Sequence, residues 1–268
     1  MILIATGYLL SSCSMERQLA LQFVETESKS TPVMLVPPPL LHMYNNKPVH
    51  FYSNQSSLDI DSLAFYQSDF LQYISDSIFL ENYMNSFIED SRKFGFKVFL
   101  PNELEEFINI KELAYIMRIP QMELVEDTIS WEIEEQVNFM KSSRIIPINS
   151  IGLSTWFEIS EKDSASYHIY FDEQIITDET YGDFRQELWS LDIKYDYTVF
   201  KLEQEDIYQF ASDLGSLHAS YFFDLILNTY IWNHIPEDKK GHYIYLHYNH
   251  DYHSVEAADA AFIRLDDE

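Results

Sequence analysis

Two long segments of the chain carry apolar side chains three and four residues apart, the spacing that places them on one face of an α-helix. The first segment, residues 78–94, is followed by Gly95, which can adopt the left-handed conformation that ends many helices. The second, residues 203–232, contains Gly215, where a missing side chain lets a neighbour approach closely or lets the helix bend. The apolar positions of the first segment include Phe79, Tyr83 and Phe87. The sequence therefore predicts two main helices.

Other segments alternate apolar and polar residues, which is the period of a half-buried β-strand. Residues 114–134 predict a long or broken strand, and Pro120 within it predicts an edge or a β-bulge because proline cannot donate to the ladder. Residues 153–160 and 167–171 flank a charged turn and predict a hairpin. Shorter strands are expected at 33–36, 49–52, 96–100 and 242–248, and a short helix at 103–110.

This order of elements predicts an α/β or α+β fold, in which a mixed, mostly antiparallel sheet packs against two main helices. Residues 33–253 contain no internal repeat and no obvious linker, so we expect them to form a single domain. The acidic tail, residues 254–268, is expected to be mobile.

Composition and charge narrow the class of protein. The 268 residues are 46% hydrophobic and 16% aromatic, which is typical of a globular chain with a substantial core. Seventeen basic residues stand against 44 acidic ones, a formal net charge of -27. Such a surface repels phosphate backbones and anionic headgroups, so nucleic acid is excluded as an expected partner.

The start of the chain has a distinctive apolar pattern. The uncharged apolar residues 1–9 lead into Leu10-Ser11-Ser12-Cys13, and Cys13 is the chain's one cysteine. The apolar run is too short to span a bilayer, which takes about 20 residues. The motif resembles a bacterial lipobox, as found in Bacteroidota-like envelope lipoproteins. The resemblance implies that residues 1–12 are a signal peptide, that Cys13 is acylated and anchors the chain to a membrane, and that the protein is secreted.

The same resemblance also implies where in the cell the protein is located. Ser14 after the cysteine implies sorting to the bacterial outer membrane, and the pairing of Glu16 with Arg17 favours the periplasmic face over surface export. Residues 13–32 are then a lipidated tether, which would span roughly 60 Å when fully extended. The alternative is a cytosolic acidic interaction protein, in which residues 2–10 form a buried strand and the thiol is inert.

Four of the nine histidines lie between residues 242 and 253. If the chain turns after Tyr248, His247, His250, Asp251 and His253 can converge, and imidazole nitrogens with a carboxylate suit zinc or a similar metal. The alternative is a strand rich in tyrosine and histidine that ends in a surface turn.

Signatures of catalysis and of phosphate binding are not found. The sequence has no G-x-S-x-G, no Walker A loop, no G-x-G-x-x-G and no H-E-x-x-H. The carboxylates between residues 123 and 135 are expected to form a solvated face. We therefore expect no catalytic residue and no cofactor.

Trp131 and Trp156 lie on carboxylate-bearing stretches and are candidate partner-binding residues, because tryptophan is enriched in interface hot spots. The alternative is that both belong to the core.

Together these patterns favour a non-enzymatic lipoprotein that serves as an accessory or scaffold subunit of an envelope protein complex. The runner-up is a metal-binding protein or metal-dependent hydrolase that uses the C-terminal histidine cluster.

Overall fold

The computed structural model describes residues 15–48, 60–137, 139–186 and 192–265. Its helices are α1 (Met15–Gln22), α2 (Ile60–Tyr66), α3 (Asp76–Lys93), α4 (Leu104–Ile108), α5 (Gln204–His234) and α6 (Glu237–Lys240). Its strands are β1 (Pro32–Val36), β2 (His42–Asn45), β3 (Lys97–Phe99), β4 (Tyr115–Val137), β5 (Met140–Glu161), β6 (His168–Thr177), β7 (Glu179–Gln186), β8 (Ile193–Phe200), β9 (Leu246–Asn249), β10 (Ser254–Ala257) and β11 (Ile263–Arg264).

Seven strands form one mixed sheet in the order β11-β6-β5-β4-β1-β3, with β2 also paired to β4. Strands β1, β2 and β3 run parallel to their neighbours, whereas β4, β5, β6 and β11 form antiparallel ladders that contain most of the paired residues. Two further pairs, β7 with β8 and β9 with β10, stand outside this sheet. The predicted mixed, mostly antiparallel sheet packed against two main helices is confirmed.

The two main helices, α3 and α5, pack against each other over one face of the sheet. Their buried side chains share a single hydrophobic core with β1, β4 and β5. Gly215 lies at the crossing, where an added Cβ would stand 2.1 Å from the carbonyl oxygen of Tyr83. The close approach predicted at Gly215 is therefore confirmed, and only glycine fits there without moving a helix.

Several local predictions are also confirmed. Gly95 has a positive φ of 108° just after α3 ends, as a left-handed helix cap requires. The ladder between β4 and β5 shifts register between Arg118 and Gln121, where Pro120 cannot donate a backbone hydrogen bond. Strands β5 and β6 form the predicted hairpin, with Ile159 opposite His168.

The prediction of a tether over residues 13–32 is wrong from Met15 onward. Residues 15–22 form α1, a π-helical turn follows at Phe23–Glu27, and a 3₁₀ turn at Ser28–Ser30 leads into β1. Ala20 and Phe23 are buried, and the Phe23 ring lies 5.6 Å from that of Phe223 in α5. Packing against α5 orders a segment that would be too short to form a stable helix alone. Cys13 and the predicted signal peptide lie outside the described residues.

The acidic tail is also ordered as far as it is described. Strand β10 pairs with β9, and β11 pairs with the start of β6. Between them Phe262 is buried with its ring 4.7 Å from that of Phe157. Burial of this one aromatic side chain orders a segment that was expected to be mobile because it is acidic.

The strand expected at 242–248 is shorter, at Leu246–Asn249, and the one expected at 49–52 lies outside the described residues. Within the described ranges, no helix is both long and apolar enough to cross a membrane.

Candidate functional site

The longest hairpin of the molecule extends past the main sheet. Strand β2 pairs with β4 as far as Glu126, and β6 pairs with β5 from Ser150 onward. Beyond these points β4 and β5 continue to pair with each other, from Thr128 opposite Asn149 to Val137 opposite Met140. These ten paired levels extend over about 33 Å. We call residues 128–137 and 140–149 the arm.

The apolar side of β4 changes where the arm begins. In the main sheet Met122 and Leu124 face the core and are fully buried. In the arm the apolar positions move to odd-numbered residues, which point to the opposite face. Those residues are Ile129, Trp131 and Ile133, and their partners on β5 include Ile148 and Ile146. The arm therefore has an apolar face of its own, on the side of the sheet away from α5.

A second hairpin partly covers this face. Strands β7 and β8, which we call the ribbon, lie against β4 and β5 respectively. Under this cover Ile146 and Ile148 are almost completely buried. Buried Asp178 fixes both ends of the ribbon, because its carboxylate accepts hydrogen bonds from the Asn149 backbone N–H at 3.0 Å and from the Leu202 N–H at 2.9 Å.

A buried charged junction joins the arm to the core. The Glu126 carboxylate is inaccessible to solvent and accepts hydrogen bonds from the backbone N–H groups of Asp69, Phe70 and Leu71. The Lys47 ammonium lies 2.7 Å from Glu126 and donates to the Asn149 side-chain oxygen at 2.8 Å. Burial alone would lower the pKa of Lys47, but its hydrogen bonds to Asp69 and Glu126 raise it. The ammonium is therefore charged, and it compensates a carboxylate that water does not reach.

Several large apolar side chains of the arm and the ribbon are exposed. Trp131 is 49% exposed, Phe139 at the arm's turn is 96% exposed and Tyr181 on the ribbon is 72% exposed. Further exposed large apolar side chains on the arm and the ribbon are Met140, Ile145, Tyr197 and Phe200, which do not all share one face. Exposed large apolar side chains on one element often mark an interaction site. The Lys141 ammonium is paired with Glu134 at 2.7 Å, and the arm carries three carboxylates, Glu132, Glu134 and Glu135, against two cations, Lys141 and Arg144.

The two predicted partner-binding tryptophans do not form one patch. Trp131 lies on the arm, and its role in partner binding stays a prediction. Trp156 pairs with Gln121 in the main sheet, roughly 33 Å along β4 from Trp131. Its ring is half-buried and lies 5.0 Å from that of Phe171. A partner that covers Trp131 would need to be large to reach Trp156 as well.

The four predicted metal ligands, His247, His250, Asp251 and His253, line a single pocket beside the end of α3. Their mutual arrangement is not that of a metal site, since no three His, Cys, Asp or Glu side chains in the described ranges are placed to hold an ion. The His250 ring stacks on that of Phe94 with centroids 3.6 Å apart. Burial, and then the neighbouring His247 and His253, lower the pKa of His250 to about 4. Metal binding here stays a prediction.

The contacts of His247 indicate a structural role for this segment. Its Nδ1 atom lies 2.6 Å from the carboxylate of Asp224 in α5, and that hydrogen bond raises the pKa of His247. Asp224 also accepts from the Tyr248 N–H at 3.0 Å. One helical turn later, the Asn228 side chain bonds both the N–H and the C=O of Leu246. Two polar side chains on one face of α5 thus hold β9 in place.

Sequence reasoning missed a buried chain of polar groups in the core. The Tyr83 hydroxyl lies 2.8 Å from His218 Nδ1, and His218 Nε2 lies 2.9 Å from an Asp172 carboxylate oxygen. Burial lowers the pKa of His218, although Asp172 opposes this, so the imidazole is neutral. A neutral ring with N–H on Nε2 donates to Asp172 and accepts from Tyr83. Because all three side chains are buried, a substrate cannot reach them, and the chain joins α3, α5 and β6.

The signal of this network in the sequence was the place of Asp172 on the same side of its strand as Tyr170. No family model matches the chain, and no curated protein is significantly similar to it. The functional assignment therefore depends on the site itself, and its most distinctive feature is the exposed apolar surface of the arm.

Proposed function

We propose that the protein is a non-enzymatic lipoprotein, anchored through Cys13 to the bacterial outer membrane and facing the periplasm, that serves as an accessory or scaffold subunit of an envelope protein complex. The observation that carries the proposal is the exposure of Trp131 on the arm, of Phe139 at its turn and of Tyr181 on the ribbon. Large aromatic side chains on a rigid β-structure lose little entropy on binding and are typical anchors of protein interfaces.

The charge of the arm defines the chemistry of the partner. The chain as a whole carries a net charge of -27, and β4 brings Glu132, Glu134 and Glu135 to the arm, of which Glu134 is paired with Lys141. We infer that the partner is a protein with an apolar patch surrounded by basic residues. Complementary charge would increase the association rate and orient the two surfaces.

The anchor is tested separately from the arm. Cells that express the full chain are labelled with a fatty acid and compared with cells that express Cys13→Ala. Labelled protein in the membrane fraction, lost in the variant, is the expected result. Equal labelling of both proteins, or none, would end the lipoprotein part of the proposal and leave the arm untouched.

The arm is tested by binding to the partner isolated from solubilised membranes. Trp131→Ala should weaken the complex by about 2 kcal/mol, or about thirtyfold in Kd, as expected for a central hot-spot residue. The matched control is Tyr252→Ala, because Tyr252 is 80% exposed and lies in the turn between β9 and β10, which is not part of the arm or of its junction with the core. Equal affinity of both variants and the wild type would contradict docking through the arm.

The alternative function, a metal-binding protein or metal-dependent hydrolase, is supported by one observation. His247, His250, Asp251 and His253 share a pocket, and the His250 Nε2 atom is buried without a hydrogen-bond partner among the described residues. Metal analysis of protein purified without a histidine tag tests it. A stoichiometric metal that is lost in His250→Ala would favour this function over the arm.

A further inference from the structure

Besides its two faces, the arm has two edges of backbone N–H and C=O groups. Among the strands that the structure describes, β4 pairs in the arm with β5 alone, because β2 stops pairing at Glu126 and the ribbon is a two-stranded sheet of its own. The outer backbone groups of an edge strand can pair with a strand that is added from another chain. The two edges of the arm differ in whether they allow this.

Hydrogen bonds at the start of the arm show which residues point to the edges. In an antiparallel ladder, directly opposite residues alternate between pairs that bond each other and pairs whose N–H and C=O groups point outward. Asn149 points outward, since its N–H donates to the Asp178 carboxylate and its C=O accepts from the Asp178 N–H, both at 3.0 Å. Thr128, opposite Asn149, therefore points outward too, and so does every second residue of β4 to the end of the arm. The Asn46 N–H donates to the Glu126 C=O at 2.8 Å, which gives β4 the same alternation.

The edge on the β5 side is closed where the arm leaves the main sheet. Asn149 is occupied by Asp178, and the next outward position is Pro147, which has no N–H to offer an added strand. Pro147 is opposite Ser130, in a pair that does not bond across the ladder. The proline therefore removes a donor from the outer edge without removing a hydrogen bond from the arm.

The edge on the β4 side has no such block. The Thr128 N–H already donates to the Asp127 carboxylate at 2.6 Å. No proline and no register shift interrupts β4 beyond that point of the arm. The outward residues there are all exposed, and they are Ser130, Glu132, Glu134 and Gln136. They span about 20 Å, a usual strand length, and each offers one N–H and one C=O to a chain that lies alongside.

The side chains along this edge determine what kind of strand fits it. Glu132 and Glu134 project to one side of β4, and Trp131 and Ile133 project to the other. Directly opposite residues of an added strand share these sides. A strand with basic residues opposite the two glutamates and apolar residues opposite Trp131 and Ile133 would therefore match the edge in both charge and hydrophobicity.

A second copy of this chain matches the edge poorly. In an antiparallel dimer of two such edges, outward residues are opposite outward residues. The registers with the greatest overlap are centred on Glu132, Ile133 or Glu134. They place Glu132 opposite itself, Glu132 opposite Glu134, or Glu134 opposite itself. Carboxylates directly opposite each other repel, so the glutamates disfavour pairing of the chain with itself.

We propose that the β4 edge of the arm binds an extended segment of a partner protein, about seven residues long, in which basic and apolar residues alternate. The segment adds as an antiparallel strand, the slightly more stable arrangement per residue. The inference rests on the proposed function, in which the arm is the docking surface, and it specifies how the partner is held there. Backbone hydrogen bonds supply affinity, and the alternating side chains set the register.

The test uses the full chain and the probe Lys-Val-Lys-Val-Lys-Val-Lys, N-acetylated and C-amidated, with affinity measured by calorimetry. Two further probes carry a pair of N-methyl groups, on the third and fifth residues in one and on the second and fourth in the other. In the proposed strand the lysine N–H groups point at β4 and the valine N–H groups point away. We therefore expect methylation of the lysines to reduce affinity roughly tenfold or more, and methylation of the valines to leave it unchanged.

A matched pair of variants tests the edge itself. Ser130→Pro removes one outward N–H without removing a bond to β5, and it should weaken binding of the unmethylated probe about fivefold. Ser130→Ala keeps the N–H and should bind like the wild type. Thermal denaturation verifies that both variants fold. A probe with glutamate in place of lysine should not bind at about 1 mM, because it meets Glu132 and Glu134 with like charge.

Hydrogen exchange of the Glu132 and Glu134 N–H groups shows whether the edge is open. Both should exchange rapidly in the free chain and become protected when the probe binds. Protection in the free chain would mean that another part of the chain, or a second copy, already pairs there, and it would overturn the proposal.

Equal affinity of the three lysine probes, or loss of affinity only when the valines are methylated, would also overturn the proposed strand. These outcomes leave the Trp131→Ala test of the proposed function intact, because that test measures the complex with the natural partner. Conversely, a Trp131→Ala variant that binds the partner normally would end docking through the arm without changing the result for the probes.

Discussion

The crossing of α3 and α5 at Gly215 yields the sharpest test of the fold. In Gly215→Ala the new Cβ would stand 2.1 Å from the Tyr83 carbonyl oxygen and 3.0 Å from the Phe87 nitrogen. Both contacts are with backbone atoms, which cannot rotate away. An ordinary carbon contact needs about 3.4 Å or more, so the helices must separate by more than about 1 Å. The same movement would lengthen the hydrogen bond between Tyr83 and His218.

The expected change in the free energy of unfolding of Gly215→Ala is the difference of two opposing effects. Overpacking of a core costs about 1–3 kcal/mol, and more where backbone must move. Alanine recovers about 1 kcal/mol of helix propensity relative to glycine. We therefore expect a net loss of about 2 kcal/mol in the free energy of unfolding. For a chain of this size that corresponds to a fall in Tm of roughly 4–8 °C, which circular dichroism during thermal and urea denaturation would measure.

The control is Gly241→Ala. Gly241 follows α6 with ordinary right-handed backbone angles, and an added Cβ there meets no atom within 4 Å. Its stability should be unchanged or raised by less than about 1 kcal/mol. If Gly215→Ala is as stable as Gly241→Ala, the helices do not cross at Gly215, and the packing of α3 against α5 described above is incorrect.

Three further predictions use the same denaturation assays. The His250→Phe variant keeps the ring stack on Phe94 but cannot bind a proton. Because the folded-state pKa of His250 is about 4, below its ordinary 6.5, the wild type loses stability as pH falls from about 6.5 towards 4. The variant should lose less stability over that interval. Glu126→Gln should destabilise the protein by about 3 kcal/mol, because it removes the buried charge that compensates Lys47, and a change under 1 kcal/mol would argue against the junction. Phe262→Ala should cost about 3–5 kcal/mol, as for other buried phenylalanines, whereas a mobile tail would show no effect.

The sequence was sufficient to predict the elements in which the apolar positions of the local pattern are also the positions buried in the fold. Helices α3 and α5 are long and strongly periodic, and the bulge at Pro120 follows from a missing N–H. Helix α1 was missed because its apolar residues are few and its order comes from contact with α5, which no local pattern reports. Phe262 is a similar case, since one buried ring outweighs the acidic residues around it.

The site was predictable only in part, for a related reason. Exposure of Trp131 was a reasonable inference from its acidic surroundings, but its separation from Trp156 depends on the register of β4 and β5. Along β4 the apolar positions change from even-numbered residues such as Leu124 to odd-numbered residues such as Ile129. This change was a visible signal in the sequence of a second apolar face. The ribbon that covers this face was not predicted, although β8 alternates apolar Ile193, Tyr195, Tyr197 and Val199 with polar residues, because its partner β7 alternates only weakly.

The ordered helix α1 determines how far the folded body of a lipid-anchored molecule would lie from the membrane. Met15 begins the helix only two residues after Cys13, a covalent reach of about 7 Å. An acyl group on that sulfur would therefore hold the body directly against the bilayer, with little freedom to tumble or to search at a distance. A subunit that it recruits would therefore have to reach the membrane surface itself.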